Sequence, residues 1–292
     1  MTPNRIALAL IAAFVAVPAL AAPVNYNLDG SSPTAPTTTV GGPGTNNGTT
    51  WNNSNAGTYG TNGSNYGNSY YWAGNASTPA LTMSAWGSTS IGGAVQKGWI
   101  GNYGAGTGFG ITSQSTGELN SSHNPDAASP YYQHAIDNVS SYESMLFSFG
   151  SSVALNSVSV GFTGSDADAT VFVYNGAGDP TASIAGKTYA QLLSSGWVLA
   201  GNVLNMHSGS NSFTNTSAVS SSKYWMVGAF MSSTGGVNNV ANDSTTDSFK
   251  LTGLGVSTVT TGQSVPEPDS VALFGIAALG LFLARRKARA KA

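Results

Sequence analysis

Few side chains in this 292-residue chain could do chemistry. Two His-x-x-Asp spacings occur, His123/Asp126 and His134/Asp137. With serines abundant nearby, a hydrolase triad is conceivable, with imidazole as base and carboxylate as its orienting partner. Gly-x-Ser-x-Gly and His-Glu-x-x-His are both absent, however. His123-Asn124-Pro125-Asp126 reads as a turn, and His134 with Asp137 as a loop fastened by hydrogen bonds to backbone. The residues therefore assign no catalytic group, and the expectation is a protein that is not an enzyme. Asp137, Asn138 and Glu143, or Asp166 and Asp168, supply oxygens suited to calcium. That ion takes six to eight oxygen ligands, so backbone carbonyls would have to complete the set. The competing role is capping of turns at strand entrances. Cysteine is absent, which removes disulfides, thiolate metal sites and a cysteine nucleophile.

The elements that would position these residues sit in an unusual background. Only 8% of residues are charged, against about a quarter in ordinary soluble domains. Hydrophobic residues make up 41% and glycine accounts for 37 positions. The formal net charge of −2 hides an asymmetry. Arg5, Arg285, Arg286, Lys287, Arg289 and Lys291 crowd the ends. Between residues 22 and 265 only Lys97, Lys187, Lys223 and Lys250 face ten acids, a net −6. Four scattered lysines give no footprint for a phosphate backbone, so no nucleic-acid partner is expected.

Both ends read as addresses. Arg5 precedes an apolar run over 6–17, followed by Pro18-Ala19-Leu20-Ala21. A basic start, a 12-residue apolar stretch and an Ala-x-Ala site at Ala19 and Ala21 describe a secretory signal peptide, residues 1–21. The alternative, a membrane anchor, needs about 20 apolar residues. At the other end Pro266-Glu267-Pro268 is followed by 14 uncharged residues, 271–284, and then by Arg285-Arg286-Lys287. As a helix that run spans about 21 Å against a hydrocarbon core of about 30 Å. Snorkelling arginines and local thinning would cover part of the gap. The basic tip, 285–292, stops transfer and stays cytoplasmic, leaving 22–265 outside. Prolines on both sides of Glu267 keep the motif off the helix, open to a protease.

Residues 22–77 form a Gly/Asn/Ser/Thr-rich leader; over 41–70, 24 of 30 residues are of these four types. Trp51, Tyr59, Tyr66, Tyr70, Tyr71 and Trp72 punctuate it. It reads as a loosely packed surface segment, or alternatively as aromatic rings for stacking on sugars. From about Ala80 the texture becomes that of strands. Leu81, Met83 and Ala85 alternate with Thr82 and Ser84. Stretches 95–103, 108–112, 145–149, 153–162, 170–174, 197–204, 224–230 and 249–256 follow as strands. Residues 224–230 are apolar throughout, which predicts a central strand covered on both faces. Only 188–194 reads as a helix, of about two turns. Many short strands with Gly/Asn turns predict an all-β fold, a β-sandwich over 78–260, followed by one C-terminal transmembrane helix within a tail of 261–292.

The tail, with its Pro-Glu-Pro motif, short apolar helix and Arg-rich tip over 266–292, resembles the PEP-CTERM sorting signal. That resemblance implies recognition and cleavage near Pro266, Glu267 and Pro268 by exosortase, a membrane cysteine protease of Gram-negative bacteria that make exopolysaccharide. His134-Ala135-x-Asp137-Asn138, the acid Glu143 before a hydrophobic strand, and Asp166-x-Asp168 before another resemble the shared domain of a group of exosortase-dependent surface proteins. An Ala-x-Asp-Asn turn entering a strand is also distantly similar to galactose-binding-like jelly rolls. Together these imply an exported cell-surface or matrix protein, structural or adhesive in role. Its partners would be the secretion translocon, an exosortase-like protease and exopolysaccharide. A secreted carbohydrate-binding module is the alternative reading, and a surface hydrolase the third.

Overall fold

The computed structural model describes residues 23–28, 44–46, 49–51, 66–67, 69–75, 77–103, 105–113, 115, 135–234 and 246–258. The expected signal peptide with Ala19 and Ala21, the turn at 123–126, His134, and the tail with Pro266, Glu267, Pro268, Arg285, Arg286 and Lys287 lie outside them. So does the expected membrane helix at 271–284; among the described residues no helix is long and apolar enough to cross a membrane.

The strands are β1 Val24–Asn27, β2 Gly44–Asn46, β3 Thr49–Trp51, β4 Tyr66–Gly67, β5 Ser69–Trp72, β6 Leu81–Ser88, β7 Val95–Lys97 and β8 Trp99–Asn102. They continue with β9 Phe109–Thr112, β10 Ile136–Asp137, β11 Glu143–Thr163, β12 Ala169–Tyr174, β13 Trp197–Val203, β14 Gly209–Ser212, β15 Ser222–Ala229 and β16 Ser248–Thr258. Fourteen of them join one antiparallel sheet, and β2 and β3 pair apart from it. The fold is all-β, as the alternation of residue types predicts. The single α-helix among the described residues, α1 Tyr189–Leu193, starts on a capping box: Thr188 Oγ1 accepts from Gln191 N–H, and Gln191 Oε1 accepts from Thr188 N–H.

The centre of the sheet is the triplet β12-β15-β11. Alternate side chains enter two separate cores. Val171, Val173, Trp225, Val227, Met145 and Phe147 point into the larger one. Phe172, Met226 and Leu146 point the other way, into a smaller core closed by Tyr189 and Leu192 of α1. That is why residues 224–230 show no polar alternation: both faces are covered.

Strand β11 links the two halves of the sheet. Glu143–Phe149 pairs with β6 and β15; the stretch from Val153 on pairs with β16 and, at 157–160, with β14. Met145, Phe147, Phe149, Val153 and Leu155 enter the larger core from odd positions, then Val158 and Val160 enter it from even ones. The parity changes because the register slips between Leu155 and Ser157. One extra residue, Asn156, is a bulge that flips the core-facing set. Its carbonyl accepts from Phe213 N–H at 2.7 Å and its amide donates to Ser257 Oγ at 2.7 Å, so the bulge leaves no backbone carbonyl stranded.

Three strands of the 22–77 leader belong to this sheet. Strand β1 pairs with β16, β4 with β8, and β5 with β6. Tyr26, Leu28, Tyr70 and Trp72 are buried in the larger core, where Tyr70 meets the Phe109 ring edge-on at 5.0 Å. For these residues the loosely packed reading is corrected: large apolar side chains found core space wherever Gly/Asn punctuation let a strand form. An edge of the sheet therefore does not coincide with residue 77. Residues 21–259 make one compact unit.

Candidate functional site

The acids singled out in the sequence gather where β10, the entry to β11, the loop before β12 and the entry to β16 meet. They divide into two groups. Asp137 and Asn138 are adjacent, and successive side chains in extended backbone leave on opposite sides.

On one side, Asp137 and Glu143 are fully buried. Glu143 Oε2 accepts from Asp137 N–H at 3.2 Å, and Asp137 Oδ1 accepts from Val139 N–H at 3.0 Å. Burial pushes the Asp137 carboxyl above the ordinary carboxylate range, while the Val139 N–H and the charge of Lys250 pull it back. Lys250 lies with its ammonium 4.2 Å from the Phe162 ring centroid and 4.8 Å from that of Tyr103. Its own pKa is depressed, by burial first, with Asp137 opposing. This is a buried acid–base pair set between aromatic rings.

On the other side lies a knot with one member the sequence reading missed. Asn138 Nδ2 donates to Asp247 Oδ2 at 2.8 Å and to Phe230 O at 3.0 Å. Asn138 Oδ1 accepts from Asp247 N–H at 2.8 Å. Asp247 Oδ1 accepts from Asp168 N–H at 2.8 Å, and Asp168 Oδ1 from Asn205 N–H at 2.5 Å. Asp166 Oδ1 accepts from Ala167 N–H at 2.9 Å, and the Asp166 carbonyl from Ser248 N–H at 3.1 Å. One carboxylate oxygen from each of Asp166, Asp168 and Asp247 lies within 4.8 Å of the other two. Burial pushes the Asp247 carboxyl up to about 7; the charges of Asp168 and Asp166 add to this, and the Asp168 N–H and Asn138 amide oppose it.

The expected alternatives, Asp137 with Asn138 and Glu143 or Asp166 with Asp168, are thus regrouped. Asn138 joins the Asp166–Asp168 side, while Asp137 and Glu143 stay together on the other, where the Lys250 charge acts on Asp137. Asp247 stands 79 residues from Asp168 and follows a polar run, so spacing gave no hint of it. One signal was available: like Glu143 and Asp168, it is an acid at a strand entrance. All the converging side-chain donors are oxygen, which suits a hard cation such as calcium and excludes a soft-metal site. Each side chain also takes a backbone or amide hydrogen bond. The arrangement therefore ties the β10, β12, β15 and β16 ends together by itself.

No triad is assembled among the described residues. His207, the one histidine among them, is held by Asn211: Oδ1 accepts from His207 N–H at 3.0 Å and lies 2.5 Å from Nδ1.

Residues 264–287 match the family model of the PEP-CTERM protein-sorting motif. No curated protein and no solved structure matches the chain. The matched span covers Pro266-Glu267-Pro268, the apolar run and Arg285-Arg286-Lys287. This chain carries a PEP-CTERM sorting signal, the mark of an exported protein processed at the membrane by exosortase.

Proposed function

We propose that the β domain is a structural or adhesive component of the bacterial surface or the extracellular polysaccharide matrix, delivered there by its tail and without catalytic activity. The sorting motif at 264–287 carries this reading. The body supports it. Asp137, Glu143, Asp168 and Asp247 are buried at strand ends, and the low charge of the chain, 8%, suits contact with a hydrated neutral polymer more than with ions. In this reading the translocon exports the chain through the signal at 1–21. The 271–284 helix then parks Glu267 at the outer interface, and exosortase cuts near it. Replacing Glu267 with Ala in the native host tests the sorting step. The expected result is an uncut chain accumulating in the membrane fraction and lost from the surface; unchanged processing and release would count against the reading.

A carbohydrate-binding module is the second reading, favoured by an aromatic cleft at the far end of the central strands.

A further inference from the structure

Strands β12 and β15 run antiparallel, with Ala169 opposite Ala229 at one end and Val173 opposite Trp225 at the other. The acid knot closes the first end. At the second, the chain opens a cleft of about 470 Å³, lined in part by Ser152, Tyr174, Asn175, Asp179, Lys223 and Tyr224. That volume falls in the range of small-molecule sites, about 300–1,000 Å³.

Tyr174 and Tyr224 are half-buried and meet edge to face, centroids 5.9 Å apart at 84°. Behind them the Tyr174 ring leans on the buried Trp197, 5.3 Å away. Glycines fix the Tyr174 ring in place. Gly196 has φ +92, and a Cβ there would lie 2.8 Å from Tyr174 Cε2. A Cβ on Gly176 would run into the Tyr174 hydroxyl end. The ring is therefore laid against two backbone turns that only glycine permits so close, and its orientation is set before anything binds.

The polar groups of the cleft are set as well. Asp179 Oδ1 accepts from Thr181 N–H at 2.8 Å and from Thr181 Oγ1 at 2.5 Å. Asp179 Oδ2 and the Tyr224 hydroxyl take no protein partner among the described residues. The phenol of Tyr224 is shifted above its usual pKa by desolvation first, then by Asp179 and Tyr174, so these groups share one small space. The backbone beneath is fastened by Ser222 Oγ, which donates to the Tyr174 carbonyl at 2.7 Å.

We propose that this cleft binds a neutral hexose or pentose unit of a polysaccharide. A pyranose has an apolar C–H face that packs on an aromatic ring and a rim of hydroxyls that pair with carboxylate, amide and ammonium groups. Tyr174 and Tyr224 offer the rings; Asp179, Asn175 and Lys223 offer the rim contacts. One carboxylate, Asp179, and one ammonium, Lys223, leave the lining without the excess of positive charge that a uronate-rich or phosphate-rich chain would need. The inference takes from the surface reading only that the domain meets polysaccharide.

Affinity electrophoresis of the full chain in detergent micelles, through gels cast with dextran, xylan, galactomannan or alginate, tests it. At least one of the three neutral polymers should retard the protein, and alginate should not. Asp179→Ala and Tyr224→Ala should each weaken that retardation about tenfold, equivalent to about 1.4 kcal/mol. Asp179→Asn, which keeps an acceptor for Thr181, gives a folded comparison, and its melting midpoint should match the parent. Retardation by none of the neutral polymers, by alginate alone, or to the same degree in all variants would overturn the proposal. Tail processing of Asp179→Ala in the native host is followed in parallel. Its failure would bear on the sorting reading, whereas loss of retardation with normal processing bears on the cleft alone.

Discussion

The two ends of the β12–β15 pair, roughly 20 Å apart at about 3.4 Å per residue, solve opposite problems with the same scarce polar residues. At one end Asn138, Asp168 and Asp247 are buried, and their side chains bond to backbone and to one another. At the other, Tyr174, Asp179 and Tyr224 keep polar atoms and ring surface toward solvent. Burial decides which polar group ties a fold and which is available to a ligand. A buried donor or acceptor must be satisfied internally, because leaving it unmet costs about 1–3 kcal/mol.

The comparison breaks most sharply on truncation. Asn138→Ala strands Asp247 Oδ2, the Asp247 N–H and the Phe230 carbonyl together, and should cost about 3 kcal/mol or more in urea unfolding. Asp179→Ala at the open end should stay within about 0.5 kcal/mol of the parent. Equal losses at the two ends would erase the distinction.

Gly196→Ala should fall between them. With φ +92 and a Tyr174 ring atom 2.8 Å from the added Cβ, it should destabilise by about 1–2 kcal/mol and disturb the ring. Near-ultraviolet circular dichroism should register the moved tyrosine, and an unchanged spectrum would mean the ring is not clamped.

Acid should act on the buried end and not on the open one. The folded pKa of Asp247, about 7, lies above the roughly 3.9 of an unfolded aspartate. Folding therefore favours the protonated form. The contribution is full below about pH 4 and is lost as pH rises through about 7. Asp137, also raised, acts in the same direction. The melting midpoint should fall by several degrees between pH 4.5 and pH 8, and Asp247→Asn should flatten that slope. A midpoint that rises over this window in the parent would reverse the assignment. The smallest expected effect is that of calcium. A divalent cation relieves the same three-carboxylate repulsion, so at pH 8 millimolar calcium should raise the midpoint by a few degrees and EDTA should remove the gain. At pH 5, with the proton already in place, calcium should do little; identical curves at pH 8 would leave the three aspartates to protons alone.

Legibility in the sequence followed the physics of each signal. Strands with strict alternation, such as 81–85, and the wholly apolar 224–230 could be read because their pattern is local. Helix α1 could be read as a short stretch, 188–194, and the structure places it at Tyr189–Leu193. The burial of Tyr26, Leu28, Tyr70 and Trp72 could not, because short strands amid Gly and Asn have no period long enough to show. The merging of two predicted strands, 145–149 and 153–162, into β11 was hidden by Gly150-Ser151-Ser152, a small polar stretch that reads as a break but across which the strand continues. Asp166 and Asp168 were visible as acids before a strand. Asp247 was not, since only β16 pairing with β10 brings it to Asn138. The cleft was invisible for a similar reason: Tyr174 and Tyr224 stand 50 residues apart, and the role of Gly196 depends on a ring from another strand.

The central claim is that the chain is exported and that its tail is a removable handle. Mass spectrometry of the protein recovered from the native host tests it most directly. The account predicts a surface or extracellular species that begins at Ala22, ends near Pro266-Glu267-Pro268 and lacks residues 271–292. A cytosolic species still carrying Ala292 would contradict it.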